Sequence, residues 1–136
     1  MIKTMFHTFP PIVKYFGMKL DYDDEDQAII TLPYNPNLNH GEEAVHGGAI
    51  ATILDNAGYF ASAIANKGWV TTTEMSFHLL RPARKTQLIA KGKVLKVGKR
   101  QIVAEMHCWD ENDQLIAHGT VTFLNLKKEK SRKINK

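Results

Sequence analysis

The sequence VHGGAIATILDNAGYFASAIA, residues 45–65, decides the fold of this 136-residue chain. It contains no proline, and its apolar residues recur with the spacing of one face of an α-helix, at positions 50, 53, 54, 57, 61 and 64. Glycine, alanine and serine make up much of the rest, so the helix carries few bulky side chains. We therefore predict one long, unusually thin helix that other elements can approach closely.

In the segments before and after this helix, alternating apolar and polar residues predict β-strands. A short helix at residues 11–16 and strands at 18–22 and 28–32 precede it, and strands at 69–79, 88–97, 101–109 and 115–124 follow it. The short turns between the last four strands make them antiparallel neighbours. Strict alternation in the first of these four places Thr73 and Met75 on one face and Thr72 and Glu74 on the other.

A single helix cannot cover both faces of such a sheet. We therefore predict an α+β fold in which a curved antiparallel sheet wraps around a long central helix. The outer face of the sheet, or its edge, then needs a partner chain, which predicts a homo-oligomer. The length fits one domain, and we assign residues 1–125 to it and residues 126–136 to a tail.

The net charge of +4 comes from that tail, which holds six lysine and arginine residues against Glu129 alone. We interpret the tail as a flexible, solubilising terminus rather than a docking arm. The rest of the chain lacks the aromatic and basic surface of a single-strand-binding protein, so we predict no nucleic-acid partner. No apolar run approaches the roughly 20 residues of a membrane span, and the N-terminal segment lacks the apolar core of a signal peptide, which predicts a cytoplasmic protein without a membrane partner.

The sequence offers few metal ligands and few known catalytic motifs. The one cysteine, Cys108, cannot form an internal disulfide, and the six histidines include no pair at the helical spacing that holds a metal. We therefore predict no metal site and no cofactor. The chain also lacks the Gly-x-Ser-x-Gly elbow, a phosphate-binding glycine loop and His-Glu-x-x-His.

Asp55 is the exceptional residue of the predicted helix. Aspartate disfavours helix interiors and is rarely buried without a partner. Its neighbours along the same helix face are small: Gly47, Gly48, Ala51, Gly58 and Ser62. A carboxylate on such a stripe has open space above it for a ligand or another backbone, and the alternative is a solvated or salt-bridged aspartate.

The tripeptide His46-Gly47-Gly48 begins the same helix. A helix N-terminus presents unpaired amide donors at the positive end of its dipole, and glycine lets a substrate carbonyl approach them. These amides would form an oxyanion-type site two turns before Asp55. The alternative is that the glycines only permit a tight turn from loop to helix.

A thioester is the substrate that such a minimal pair of groups can cleave. Its leaving thiol has a pKa near the ~8.5 of cysteine, so it departs as a thiolate with little help from an acid. The enzyme then needs a polarised carbonyl and a carboxylate that attacks or activates water.

The motif His46-Gly47-Gly48-Ala49, with Asp55 nine residues after the histidine, resembles the PaaI-like (phenylacetic-acid-degradation type) acyl-CoA thioesterases of the hotdog superfamily. The likeness covers about residues 35–124. It continues through Met75, Phe77, Pro82 and Ala83, then Leu95-x2-Gly98-Lys99, then Leu115-Ile116-Ala117-x-Gly119-Thr120.

The resemblance implies a hotdog fold and the hydrolysis of acyl-CoA to a free acid and CoA. It gives Asp55 the role of general base or nucleophile, and it gives the Gly47 amide the role of polarising the carbonyl, with His46 in the same catalytic group. The strand after the helix supplies a hydroxyl near the scissile bond, for which Thr72 is the closest match and Thr73 is adjacent. Sites form between two subunits, and such dimers often pair into tetramers.

The resemblance also implies where the substrate binds. The turn after the fourth strand lies near the CoA nucleotide, whose phosphates suit its cations. The alternative is a solvated loop, of which an exposed basic hairpin turn is equally typical. The substrate-binding positions implied are Gly48, Thr73, Glu74, Arg81, Lys96, Val97, Gly98, Lys99, Arg100 and Gln101. Many relatives carry an asparagine six residues before the motif histidine, where this chain has His40 preceded by Asn39, so either residue is a candidate for positioning water or substrate.

Two other functions compete with hydrolysis. Hotdog hydratases and dehydratases of hydroxyacyl or enoyl thioesters use a histidine and a carboxylate, which His46 and Asp55 superficially match, although their glycine- and proline-rich signature is absent. A non-catalytic acyl-CoA-binding module is the second alternative. The acyl group stays open, because the aromatic residues Tyr59, Phe60, Trp69 and Phe77 fit either an acyl pocket or the core.

Overall fold

The computed structural model describes residues 10–126, so residues 127–136 of the predicted basic tail lie outside the described part of the chain. The elements in chain order are α1 Pro11–Phe16, β1 Lys19–Tyr22, β2 Ala28–Leu32, α2 Gly47–Asn66, β3 Val70–Leu79, β4 Leu88–Val97, β5 Gln101–Asp110 and β6 Leu115–Asn125. Every helix and strand predicted from the sequence is present, with small shifts at the ends. Sequence analysis missed one turn of 3-10 helix at Pro36–Leu38, which begins with a proline and is capped by the Asn35 side chain.

The six strands form one antiparallel sheet in the order β1-β2-β4-β5-β6-β3. The short turns that join β4, β5 and β6 make these strands neighbours, as predicted. The prediction that β3 also lies beside β4 is wrong, because β3 pairs with the far side of β6 and is an edge strand. Residues 80–87 connect β3 to β4, and this segment is longer than a hairpin turn. Helix α2 contacts β2, β3, β4, β5 and β6, which places it across most of the width of the sheet.

The thin central helix allows a close approach of the sheet, and this prediction is confirmed. A Cβ atom added at Gly92 of β4 would overlap the carbonyl oxygen of Ala57 in α2. The core between the two layers is apolar and includes Ile53, Leu54, Phe60, Met106 and Phe123, all nearly inaccessible to solvent. Burial of these side chains fixes the face that α2 turns away from the sheet.

A β-bulge at Thr73 corrects the strict alternation predicted for β3. Thr72 pairs with Phe123, and the next paired residue, Glu74, stands opposite Thr122. Thr73 is therefore an extra residue, and an extra residue reverses the side-chain alternation after it. Thr72 and Met75 consequently face the helix together, whereas the alternating pattern placed them on opposite faces.

Within residues 10–126, no helix combines the length and the apolar character needed to cross a lipid bilayer.

Candidate active site

The Asp55 carboxylate lies near the middle of α2 and binds a threonine of β3. Its Oδ1 accepts a hydrogen bond of 2.8 Å from Thr72 Oγ1. Burial raises the pKa of Asp55 above its ordinary value, and the hydrogen bond from Thr72 opposes this by stabilising the charged form. The result is a half-buried carboxylate whose orientation is fixed and whose basicity is increased.

A cavity of about 580 Å³ lies in front of Asp55. Its lining comes from α1 and the residue before it, from α2 and from β3: Pro10, Ile12, Gly48, Ala51, Thr52, Asp55, Asn56, Tyr59 and Met75. Gly48 and Ala51, which precede Asp55 on the predicted stripe, therefore do leave open space in front of it. The residues after it, Gly58 and Ser62, do not, because both are buried. A Cβ atom at Gly58 would lie 2.8 Å from Met106 Sδ of the sheet.

The N-terminus of α2 is capped by the imidazole of His46. His46 Nδ1 accepts a hydrogen bond of 2.9 Å from the Gly48 amide, which requires a neutral ring with its proton on Nε2. The Gly48 amide is therefore already bonded. The Gly47 amide donates no hydrogen bond to any group within residues 10–126, as expected for the first amide of a helix.

Gly47 and Asp55 of one chain are too far apart to act on the same carbonyl. Eight residues separate them on α2, and a rise of about 1.5 Å per residue places them about 12 Å apart along the helix. Gly47 instead lines a second cleft of about 320 Å³, together with His40, Leu79 and Arg81. The predicted pairing of an oxyanion site with Asp55 is therefore not formed within one chain.

His40 and Asn39, the two candidates for the role of the asparagine found in many relatives, lie outside the Asp55 cavity. His40 lines the Gly47 cleft, and its Nδ1 accepts a hydrogen bond of 2.9 Å from the Glu42 amide. Asn39 Nδ2 donates to Tyr34 Oη at 3.4 Å, and Asn39 Oδ1 is buried without a hydrogen-bond partner among the described residues. His40 is therefore the one of the two that lines the same cleft as Gly47.

The bulge in β3 separates Thr72 from the two polar residues that follow it. Thr73 Oγ1 donates to the Thr122 carbonyl at 3.1 Å rather than to Asp55. Glu74 is exposed opposite Thr122 and is not part of the lining of the Asp55 cavity. The structure therefore brings Thr72, but neither Thr73 nor Glu74, to Asp55.

The turn between β4 and β5 borders a third cavity, of about 630 Å³. Four of the predicted CoA-binding residues line it, namely Lys96, Gly98, Arg100 and Gln101. Lys99 lies within the turn, and Val97 is the last residue of β4.

A buried amide pair connects this turn to the C-terminal end of α2. Asn66 and Asn125 exchange two hydrogen bonds of 3.0 Å, and Asn125 Nδ2 also reaches the Lys99 carbonyl at 3.3 Å. Sequence analysis missed this pair, because its members lie 59 residues apart.

The four aromatic residues considered for an acyl pocket have different environments. Tyr59 lines the Asp55 cavity, whereas Phe60 is 1% exposed in the core. Trp69 is exposed, and Phe77 packs partly buried against the core. Sequence analysis missed Asn56, which lines the cavity beside Asp55 and whose Nδ2 donates to the Thr52 carbonyl at 2.8 Å.

Comparison with known proteins gives a family match and close structural likeness. The family model described as the thioesterase superfamily matches residues 42–117, more than half of the chain. The medium/long-chain acyl-CoA thioesterase YigI of Escherichia coli is 24% identical over 141 aligned residues, which cover 91% of each chain.

Two solved structures have the same architecture. An X-ray structure of a thioesterase-superfamily protein has a TM-score of 0.83 and 28% identity, and the alignment covers 91% of this chain and 96% of the other. The PaaI protein from the phenylacetic acid degradation operon of Escherichia coli has a TM-score of 0.80 and 20% identity, with coverage of 90% and 88%. Its likeness supports the fold. On the family match and these similarities, the chain belongs to the thioesterase superfamily and is a thioester hydrolase with the hotdog fold.

Proposed function

We propose that this protein hydrolyses acyl-CoA thioesters to a free acid and CoA, with Asp55 as the catalytic carboxylate. The observation that carries the proposal is the position of Asp55. Its carboxylate is half-buried, is oriented by Thr72 and opens onto a cavity of about 580 Å³. The similarity to a medium/long-chain acyl-CoA thioesterase supports the choice of an acyl-CoA.

The proposed chemistry needs only a carboxylate and a carbonyl-polarising donor. Asp55 either attacks the thioester carbon, giving a mixed anhydride that water then hydrolyses, or removes a proton from the attacking water. The thiolate of CoA leaves without an acid because thiols are acidic compared with alcohols. Thr72 holds the carboxylate in one orientation during either reaction.

The donor is the Gly47 amide of a second subunit. Within one chain the rise of the helix keeps Gly47 about 12 Å from Asp55. One chain therefore supplies Asp55 to one site and Gly47 to the other. Two α2 helices packed antiparallel about a two-fold axis would bring each Asp55 to the partner's Gly47 cleft. His40 and Arg81, which line that cleft, would then also reach the substrate.

The edge strand β3 provides the surface for this dimer. It is ten residues long and its outer edge is unpaired among the described strands. The exposed fractions of Met75, Leu79 and Leu80 are 52%, 50% and 50%. Long, apolar edges of this kind pair with another chain unless they are covered.

We therefore expect the purified protein to be a dimer or a dimer of dimers. Sedimentation equilibrium at micromolar concentration measures this directly. A fully active monomer would contradict the proposal of a shared site.

The cationic turn between β4 and β5 is the proposed site of the CoA nucleotide. Lys96 and Arg100 line its cavity, and their charges suit phosphates. The turn is connected to Asn66 at the end of α2, which is about 16 Å along the helix from Asp55. The long pantetheine arm of CoA separates its phosphates from its thioester over such a distance.

The two competing functions have less support. A hydratase would use the His46 imidazole as an acid or base, but Nδ1 of that ring caps α2 by accepting from the Gly48 amide, and the glycine- and proline-rich signature of the hotdog dehydratases is absent. A binding module would have no need for a desolvated carboxylate at its ligand cavity.

The decisive experiment is CoA release from a panel of acyl-CoAs. The panel spans short to long aliphatic and aromatic acyl groups, with the thiol product followed by a chromogenic disulfide. Turnover of any member supports the proposal. Hydration of an enoyl-CoA without CoA release would establish the hydratase instead, and saturable binding without either reaction would establish the binding module.

The acid limb of the pH profile reports the ionisation of Asp55. The reaction requires the charged carboxylate, so kcat/KM falls as the pH drops through the Asp55 pKa, which burial raises above the ordinary aspartate value. Thr72→Val removes the hydrogen bond that lowers this pKa, so we expect the limb to move to higher pH. Thr73→Val is the matched control, because Thr73 donates to the Thr122 carbonyl. Equal profiles for the Thr72 variant and the wild type would contradict the role of Thr72.

A further inference from the structure

The Asp55 cavity holds a second polar side chain, and one of its atoms has no partner. Asn56 follows Asp55 on α2, lines the cavity and is only 8% exposed. Its Nδ2 donates to the Thr52 carbonyl at 2.8 Å, which fixes the orientation of the amide because a carbonyl can only accept. Oδ1 accepts no hydrogen bond among the described residues, and it is not one of the enclosed atoms without a partner there, which are Asn39 Oδ1 and Ser62 Oγ. The Asn56 oxygen is therefore an unpaired acceptor that solvent reaches.

Such an acceptor disfavours the folded chain. Asparagine is a poor residue for a helix interior, and a nearly buried oxygen without a partner is destabilising. The Thr52 carbonyl already accepts the backbone amide of Asn56 within the helix, so the side-chain bond satisfies no group that the helix leaves unpaired. A leucine of similar volume would fill the same space without an unpaired oxygen. The asparagine is explained if a molecule in the cavity donates a hydrogen bond to it.

Asp55 presents an open acceptor to the same cavity. Thr72 donates to Oδ1, whereas Oδ2 accepts no hydrogen bond from the described part of the chain and is not enclosed. The Cα atoms of consecutive residues such as Asp55 and Asn56 are about 3.8 Å apart. One water that donates two hydrogen bonds of about 2.8 Å joins acceptors up to about 5.6 Å apart. A water has two hydrogens to donate, and the two side chains offer one free acceptor each.

The candidates that replace the asparagine of many relatives cannot accept from such a water. His40 Nδ1 already accepts from the Glu42 amide, so the remaining nitrogen, Nε2, carries a proton and can only donate. Asn39 Oδ1 is enclosed. In the shared site proposed above, His40 of the partner subunit would therefore donate to the thioester oxygen beside the Gly47 amide, and the water needs another acceptor.

We propose that Asn56 is the water-positioning residue of this site, and that the attacking water is held between Asn56 Oδ1 and Asp55 Oδ2. This inference rests on the proposed acyl-CoA hydrolysis, with Asp55 as the base. The water oxygen bonds to the thioester carbon while one proton passes to Asp55, and the hydrogen bond to Asn56 aims the oxygen lone pair at that carbon. The carbon–sulfur bond then breaks, and CoA leaves as a thiolate that takes up the proton from Asp55. The free acid keeps the second hydrogen of the water.

Asn56→Leu removes the acceptor and keeps nearly the same volume. We expect kcat for CoA release to fall about tenfold, the effect of one lost hydrogen bond. KM should not change, because the lost bond is to water and not to the substrate. The melting temperature should equal or exceed that of the wild type, because the unpaired oxygen is gone. Asn56→Ala also lacks the acceptor and decides the question if leucine does not fit.

Methanol distinguishes a water-holding role from a general loss of geometry. Methanol has one hydroxyl hydrogen, which it gives to Asp55, so it makes no use of the Asn56 acceptor. At a fixed methanol concentration the acyl group is released as free acid or as methyl ester, each with one CoA. In Asn56→Leu only acid formation should fall, so the ratio of ester to acid rises about tenfold. Thr52→Val is the matched control, because the Thr52 hydroxyl lines the same cavity but donates to the Gly48 carbonyl at 2.8 Å, and its ratio should stay at the wild-type value.

The outcomes separate this inference from the proposed function. Acid and ester formation lowered in parallel in the Asn56 variants, or acid formation within twofold of the wild type, would overturn the role of Asn56. A ratio that rises in Thr52→Val instead would make Thr52 the second acceptor. An acylated protein, detected by intact mass after acid quenching, would mean that Asp55 attacks the carbon itself, which overturns the held water and leaves the hydrolase intact. A wild type that releases CoA from no acyl-CoA would overturn the hydrolase and this inference with it.

Discussion

Replacing Asp55 with asparagine is expected to lower kcat by roughly 10²–10⁴-fold, the usual contribution of a general base, with a much smaller change in KM. Asparagine has the same shape, and its Oδ1 can still accept the hydrogen bond from Thr72 that the carboxylate accepts at 2.8 Å. The substitution therefore removes the charge and the nucleophile while it preserves the geometry of the cavity. Steady-state CoA release from the best acyl-CoA of the panel gives both constants.

The control for Asp55→Asn is Asp24→Asn, which neutralises an exposed carboxylate in the turn between β1 and β2. We expect wild-type kinetics for that variant. A kcat of Asp55→Asn within tenfold of the wild type would contradict the catalytic role of Asp55, whatever the protein hydrolyses.

Stability should respond to Asp55→Asn in the opposite direction from activity. Burial raises the Asp55 pKa in the folded state, so between the unfolded and folded pKa values the folded chain binds more protons. The stability contribution of Asp55 then falls as the pH rises through that interval and stays low above it. At neutral pH the variant lacks the desolvated charge, and its melting temperature should equal or exceed that of the wild type. A clear decrease in melting temperature would indicate that Asp55 stabilises the fold.

The order of helices and strands could be predicted from the sequence, because each is encoded locally. The 3.6-residue spacing of apolar residues in 45–65 and the period of two in the later segments depend only on which face is buried. The thin helix also predicted a close approach of the sheet, and the structure places that approach at Gly92 and Ala57. The 12 Å separation of Gly47 and Asp55 likewise follows from the helical rise alone.

The arrangement of side chains around the site could not be predicted, because it depends on contacts between distant segments. The bulge at Thr73 is fixed by the register of β3 against β6, and nothing in the residues of β3 marks it. Tyr59 and Phe60 are adjacent aromatic residues, yet one lines the cavity and the other the core. The rotation of α2 about its axis relative to the sheet decides which of the two rings lines the cavity. That rotation results from the packing of all the strands.

Gly47→Pro is expected to lower kcat by roughly 10²–10³-fold, the usual effect of deleting one oxyanion donor. Proline removes the amide hydrogen and is well tolerated at the first position of a helix. The preceding residue, His46, has φ −58° and ψ 136°, an extended conformation that a following proline requires. Gly47→Ala is the matched control. Alanine and proline both add a Cβ atom, which would lie 2.8 Å from Leu79 Cδ1, but alanine keeps the amide hydrogen. Equal kcat values for the two variants would exclude the amide as the donor.

Mixing the two inactive proteins tests whether the site is shared between subunits. In a hybrid dimer of Asp55→Asn and Gly47→Pro, one site combines both defects, while the other has an intact Asp55 from one subunit and an intact Gly47 from its partner. Random assortment after unfolding and refolding of an equal mixture makes half of the dimers hybrid, so roughly a quarter of the wild-type activity should return. Activity that stays at the level of the separate variants would mean that both residues act within one chain. The helix would then have to bend or unwind to close a gap of about 12 Å, which its unbroken run from Gly47 to Asn66 opposes.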